Sequence, residues 1–253
     1  MTLLNALKTI ICLTIILYAA PFLIEGIKKQ YIPLLEPQTH IGVLQIKEPL
    51  NNADYLTKQL HSFFKDPLIK GIVIKIDCAD AAPGTSQTIF HDIRQLKKEY
   101  PKPIITLAEN ICLSGAYLIA TACDYIIAPE SVLIGNIGKS FSTQSIQALH
   151  KKIDEETTNN FDDIKNETYQ QFIKQIALSR KLSLTTVHNW ADGKIFTGTQ
   201  AVALGLINEI GSLCTVIKII KEKALIEGEI IWIEQNEKIS PFNIFFSNER
   251  TIT

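Results

Sequence analysis

Apolar positions follow two alternating rhythms along this chain. Short runs rich in Ile and Val, at residues 41–46, 71–76 and 104–106, are bounded by turn residues and predict buried strands. Between them, residues 54–64 carry Tyr55, Leu56, Leu60 and Phe63 at helical spacing, with Pro67 as a stop. Residues 88–100 place Ile89, Phe90, Ile93 and Leu96 on one helical face. The run 116–122 is small or apolar on every side and predicts a helix buried all round, before a short strand at 125–127.

Strands that are continuous apolar runs, separated by helices, belong to a parallel sheet covered on both faces, an α/β class. Such sheets place their sites at the carboxyl ends of strands. Two such ends are 77–84 and 109–114, side by side if the two strands are neighbours. Beyond Gly138 the pattern weakens, and 139–165 is polar, with no period from 155 to 160. Helicity resumes at 167–179, where Tyr169, Phe172, Ile173 and Ile176 form a stripe suited to a core or a subunit interface. A turn and short strand at 190–198 and a short helix at 199–204 follow, the helix closed by Gly205. A helix at 213–226 and an edge or final strand at 229–233 complete the pattern.

The N-terminus changes the picture. Residues 9–24 carry no charge, and sixteen residues of helix reach about 24 Å against a hydrocarbon core of about 30 Å. Snorkelling Lys8, Lys28 and Lys29 would cover the difference, so an uncleaved membrane anchor is expected. A cleaved signal peptide is the rival, with 18–20 a poor cleavage site. A formal net charge of −1 offers no basic footprint for nucleic acid. The five cysteines (Cys12, Cys78, Cys112, Cys123 and Cys214) form no C-x-x-C pair and read as small buried hydrophobes, with no metal site implied.

The candidate chemistry sits at Ser114-Gly115, between a strand and the apolar helical run. A hydroxyl there lies near the helix's unpaired N–H groups, where negative charge is stabilised, and Gly115 leaves room for a substrate to approach. This suits a nucleophile with oxyanion donors at hand. A helix N-cap is the plainer role for the same serine.

Several blocks, in order from about residue 41 to residue 229, resemble the signal peptide peptidase A family of membrane-anchored serine proteases, which has the Clp/crotonase fold. Residues 113–120, L-S-G-A-Y-L-I-A, are similar to that family's nucleophile motif A-S-G-G-Y-Y-I-A. The strand at 125–128 and the turn 135–138, G-N-I-G, follow its strand and its G-S-I-G turn. Residues 191–211, ADGKIFTGTQAVALGLINEIG, are close to its A-D-G-R-V-W-T-G-x-Q-A-x-x-L-G-L-V-D-x-x-G, and Arg180 stands where the family carries an arginine. The resemblance implies ββα repeats around a mainly parallel sheet, preceded by a transmembrane helix. Residues 1–29 become the anchor, 30–39 a linker, 40–236 the protease domain and 237–253 a loosely held tail.

The resemblance makes Ser114 the nucleophile and a lysine its base, with the oxyanion held by N–H groups near Gly115 and Ala81 and with Asn136 beside them. The family's S-P-G-G falls on Cys78-Ala79-Asp80-Ala81, where Asp80 brings negative charge and Ala81 tolerates a positive φ poorly. Ala116 replaces a glycine, Asn136 replaces the serine of G-S-I-G, and the segment between Gly138 and Tyr169 is about half the family's length. Lys151 and Lys152 are the first candidates for the base and Lys165 the third, against the reading that all three are solvated. A histidine base, His150, is the alternative offered by Clp-type Ser-His-Asp proteases. A lysine base has to lose several units from a pKa of about 10.4, at about 1.4 kcal/mol each, which desolvation supplies.

The expected activity is a serine endopeptidase with a Ser–Lys dyad, needing no cofactor and cleaving hydrophobic peptides such as released signal peptides. The expected setting is the cytoplasmic membrane, held through lipid contacts of the N-terminal helix, with the catalytic domain on the outer face. Family members with one such domain form homo-oligomeric rings, which is the assembly expected here. The rivals are a catalytically impaired scaffold or peptide binder, and an acyl-CoA enzyme on the related crotonase fold.

Overall fold

The computed structural model describes residues 18–22, 24–26, 39–47, 50–138 and 155–234, with side chains of the last segment from 163 onward. The chain divides into two units, Met1–Thr39 and His40–Thr253. In the first, residues 18–22 and 24–26 are helical. Most of the expected anchor, linker residues 30–38 and tail 237–253 lie outside the described residues. No helix among the described residues is long and apolar enough to cross a membrane.

The second unit opens with β1 (Thr39–Lys47), α1 (Asp54–Lys65), β2 (Ile69–Cys78), α2 (Pro83–Glu99), β3 (Ile104–Leu113) and α3 (Ser114–Thr121). There follow β4 (Tyr125–Ala128), β5 (Leu133–Gly135), α4 (Glu155–Arg180), a 3-10 turn (Leu184–Thr186), α5 (Val187–Trp190) and β6 (Ile195–Thr197). Last come α6 (Gly198–Ala203), β7 (Glu209–Ile210), α7 (Leu213–Ala224) and β8 (Ile230–Glu234). Strands and helices alternate singly as far as β4, because parallel neighbours need a crossover helix. The doubled strand expected in each repeat appears before α4, as β4 and β5.

The sheet order is β6-β5-β3-β2-β1-β8, with β4 pairing β3 and β7. The pairs β1–β2, β2–β3, β3–β4, β3–β5 and β4–β7 are parallel, and β5–β6 is antiparallel. Along β2, Ile72, Ile74 and Ile76 join the larger core with α1 to α4, whereas Val73 joins a second cluster under Val216, Ile219 and Ile220 of α7. Both faces are covered, which is why these strands carry no polar alternation.

Three local expectations change. Tyr55 is exposed and its place on the buried face of α1 is taken by Gln59, whose amide donates to the Tyr55 hydroxyl. Helix α2 begins five residues before the expected start because Pro83 occupies its first turn, where a missing N–H costs nothing. Cys78, Cys112 and Cys123 are buried as expected, but Cys214 is exposed, on the side of α7 away from Val216, Ile219 and Ile220.

Candidate active site

Strand β3 runs extended to Leu113 (φ −122°), and the chain then turns sharply at Ser114, whose φ is +53°. A non-glycine residue in this region costs about 1–3 kcal/mol and persists only where its surroundings impose it. Here the ladder fixes one side, with Leu113 paired to Gly135 on β5. The other side is fixed by α3, buried from Gly115 to Thr121. The helix N-cap is Leu113, which supplies no side-chain cap, so Ser114 is not the cap that its sequence position also allowed. The first N–H groups of α3 are therefore left without intrahelical acceptors right beside the serine hydroxyl.

Ser114 lines a shallow cleft, open to solvent, with Ala81, Ser86, Gly115, Leu118, Thr168 and Phe172 among its walls. Strands β2 and β3 are neighbours, so the two strand ends singled out in the sequence meet. The loop after β2 is held by a parallel bridge between Leu50 and Ala81 and by the Ala82 N–H donating to the Leu50 carbonyl at 3.1 Å. Gly115 packs against this loop: a Cβ there would lie 2.7 Å from the Ala81 carbonyl oxygen and 2.8 Å from Ser86 Oγ. The glycine is thus required by close packing of two backbones, a reason independent of the room for substrate expected from the sequence. Ala81 does not adopt positive φ, so alanine carries no strain where the family has glycine. Asp80 is not among the cleft-lining residues; its carbonyl accepts from the Cys78 thiol at 3.0 Å.

Asn136 follows Gly135, where β5 ends, is not among the cleft-lining residues, and has φ +50°, a conformation Asn tolerates. Its N–H donates to the Lys194 carbonyl at 2.8 Å. The same turn is tied by the Gly193 N–H donating to the Ile137 carbonyl at 2.9 Å. Helix α4 reaches it as well, through the Tyr169 hydroxyl donating to Asp192 Oδ1 at 2.9 Å. Burial is the main reason that the Tyr169 phenol is pushed up to about 12, with the Asp192 carboxylate adding to it.

The stripe Tyr169, Phe172, Ile173 and Ile176 is core, as one of its two readings had it. Phe172 and Thr168 also form the α4 wall of the cleft, a role the apolar spacing alone did not reveal. Lys165 is half-buried and lies seven residues before Phe172, two turns along the same face. Lys151, Lys152 and His150 lie outside the described residues. Farther along α4, Arg180 donates from Nε to the Gly205 carbonyl (3.0 Å) and from Nη1 to Asn208 Oδ1 (2.8 Å). Asn208 Oδ1 also accepts from the Ile126 N–H at 2.9 Å, so the arginine clamps α4 to β4 and the turn before β7. Tyr117 completes this core, donating to the Leu206 carbonyl at 2.7 Å. Among the described residues no cluster of His, Cys, Asp or Glu is arranged to hold a metal ion.

The model for Peptidase family S49 matches residues 96–159 and 142–227, more than half of the chain taken together. A Methanocaldococcus jannaschii protein named as a protease is 27% identical over 74% of this chain and 67% of its own. An Enterococcus faecium protein named as a signal peptide peptidase is 27% identical over 73% of this chain and 60% of its own. The chloroplast serine protease SPPA of Arabidopsis thaliana is 26% identical over 79% of this chain but only 35% of its own. The matches therefore span about two thirds or less of these relatives' lengths. A solved enoyl-CoA hydratase/isomerase family member superposes with a TM-score of 0.46 at 15% identity, covering 71% of each chain. Matched from residue 96 to residue 227, across the Ser114 turn, α4 and the block from 191 onward, this chain belongs to Peptidase family S49, the family of signal peptide peptidase A.

Proposed function

We propose that the protein is a serine endopeptidase that cleaves apolar peptide segments with Ser114 as nucleophile and a lysine as base. The observation that carries this is the strained backbone of Ser114 (φ +53°) at the edge of a cleft with apolar walls. Strain of this kind, at a polar residue with unpaired helix N–H groups beside it, is what an exposed nucleophile on a strand-to-helix turn requires.

Ser114 Oγ attacks the scissile carbonyl, and a neutral lysine takes its proton and then delivers it to the leaving amine. The acyl-enzyme so formed is released by water activated by the same amine. The N–H groups of Ala81 and of the first turn of α3 receive the oxyanion, an arrangement supported by the packing of Gly115 on the Ala81 carbonyl. Lys165 is the base favoured by position, being half-buried on the α4 face that lines the cleft. Leu118, Phe172, Pro83 and Ala81 favour apolar substrate side chains. The apolar run 9–24 holds the domain at a membrane, where such peptides are released, and a ring of subunits encloses the sites.

Hydrolysis of an apolar fluorogenic peptide by the full chain in detergent tests this reading. Ser114→Ala and Lys165→Ala should each abolish turnover while Lys151→Ala and Lys152→Ala retain it. Loss of turnover in Lys151→Ala or Lys152→Ala alone moves the base to that residue. Turnover surviving Ser114→Ala ends the proposal.

A further inference from the structure

Cys78 is the last residue of β2 and Cys112 the last but one of β3, and the two are register partners across this parallel pair. Both are 0% exposed, and both belong to the same core cluster, so their side chains share one face of the sheet. Neighbouring strands run about 4.8 Å apart, inside the 4.4–6.8 Å range over which Cα atoms accept a disulfide. From the geometry we infer that Cys78 and Cys112 are a disulfide-forming pair, a modification site that ties together the strand ends carrying Ala81 and Ser114.

The backbone around the pair has the slack such a bond needs. Between Ile76↔Ala108 and Cys78↔Cys112, β2 advances two residues and β3 advances four, so Glu109, Asn110 and Ile111 bulge opposite Asp77. Regular ladder bonding is interrupted there, and a side-chain bond from Asn110 Nδ2 to Asp77 Oδ2 at 2.9 Å spans the gap. A disulfide holds its Cβ atoms at about 3.8 Å. Drawing the Cβ atoms to that value from the strand spacing turns the two side chains, and the peptide units that carry them, toward each other by about 1 Å at Cβ. Cys112 lies two residues before Ser114 and Cys78 three before Ala81, so the shift passes directly to both. A displacement of about 1 Å at a reacting centre costs on the order of a hundredfold in rate.

The chemistry balances with a small peroxide as oxidant. One sulfur displaces water from hydrogen peroxide to give a sulfenic acid. The second sulfur then attacks it, forming the S–S bond and releasing a second water. Burial raises the Cys112 thiol well above its usual range, so the closed sheet protects the pair and reaction follows opening of the strand ends. The exposed Cys214 reacts independently and forms no part of the pair.

The cross-link itself does not depend on the proposed activity; only its effect on rate rests on the reading of Ser114 as nucleophile. The full chain is treated with hydrogen peroxide, unfolded, alkylated and digested with trypsin. The expected result is loss of alkylation at Cys78 and Cys112 and a reducible link between peptides 76–94 and 99–139. The link should persist in Cys123→Ser and vanish in Cys78→Ser and in Cys112→Ser. Labelling of Ser114 by a fluorophosphonate should slow at least about tenfold on oxidation, recover with dithiothreitol, and stay unchanged in Cys78→Ser. A link that survives Cys112→Ser, full alkylation of Cys78 and Cys112 after peroxide, or bridging through Cys214 alone would overturn the inference. Absence of labelling in the reduced and oxidised chain alike, with the 76–94 link present, would instead refute the protease reading and leave the pair standing.

Discussion

Gly115 and Ala81 meet backbone to backbone: a methyl group on Gly115 would stand 2.7 Å from the Ala81 carbonyl oxygen. That oxygen belongs to a main chain already bridged to Leu50, so it has no side-chain freedom with which to yield. Gly115→Ala should destabilise the domain by about 1–3 kcal/mol, the usual cost of overpacking, and push Ser114 and the Ala81 N–H apart. Thermal melting reads the first effect and fluorophosphonate labelling the second, with slower labelling expected even well below the melting point.

Ser114 holds its strained φ of +53° because strand and helix on either side leave it no alternative. Ser114→Gly removes the hydroxyl and the strain together, while Ser114→Ala removes only the hydroxyl. The glycine variant should be the more stable of the two by about 1 kcal/mol, although both are inactive. Denaturant titration of the pair gives this difference directly.

Arg180 reaches two acceptors in different directions, the Gly205 carbonyl and Asn208 Oδ1, from a half-buried position. Lysine presents a single point charge and cannot span both. Arg180→Lys and Arg180→Met should therefore lose similar stability, about 1–3 kcal/mol, since either removes the pair of hydrogen bonds. A lysine variant as stable as the wild type in urea titration would show that charge alone suffices.

Tyr169 links α4 to the turn that also holds Asn136. Its phenol is pushed up to about 12, mainly by burial, from 10.0. With the folded value above the unfolded one, its contribution is complete below pH 10 and is lost as pH rises toward 12. Wild-type stability should fall over that window more steeply than that of Tyr169→Phe, and the two curves should run parallel below pH 9. Melting temperatures measured from pH 7 to 12 test the sign.

Much of this fold could be read before any coordinates. The apolar runs that became β1, β2 and β3 and the stripe on α4 come from burial on both sheet faces and on one helix face, and such burial leaves a pattern in the chain. Gly205 was legible for a different reason, since a residue at φ +75° just past α6 favours glycine. The three residues of β5 and two of β7 are too short to leave a period, yet β5 is what pins Leu113. Residues 155–165 belong to the polar stretch in which 155–160 shows no period, yet they form one helix with the stripe that follows. The site was legible only in part. Ser114 and the meeting of the two strand ends followed from pattern and resemblance. The role of Gly115 and the ordinary φ of Ala81 depend on contacts between segments thirty-four residues apart, which no local spacing encodes.

The central claim is that Ser114 is a reactive alcohol, and covalent capture measures this most directly. The full chain in detergent is treated with a fluorophosphonate and the adduct is mapped by mass spectrometry. The account predicts one phosphonyl group per chain on Ser114, absent from Ser114→Ala and at least about a hundredfold slower to form in Lys165→Ala. An unmodified Ser114 in a folded chain, or labelling unchanged in Ser114→Ala, would contradict it.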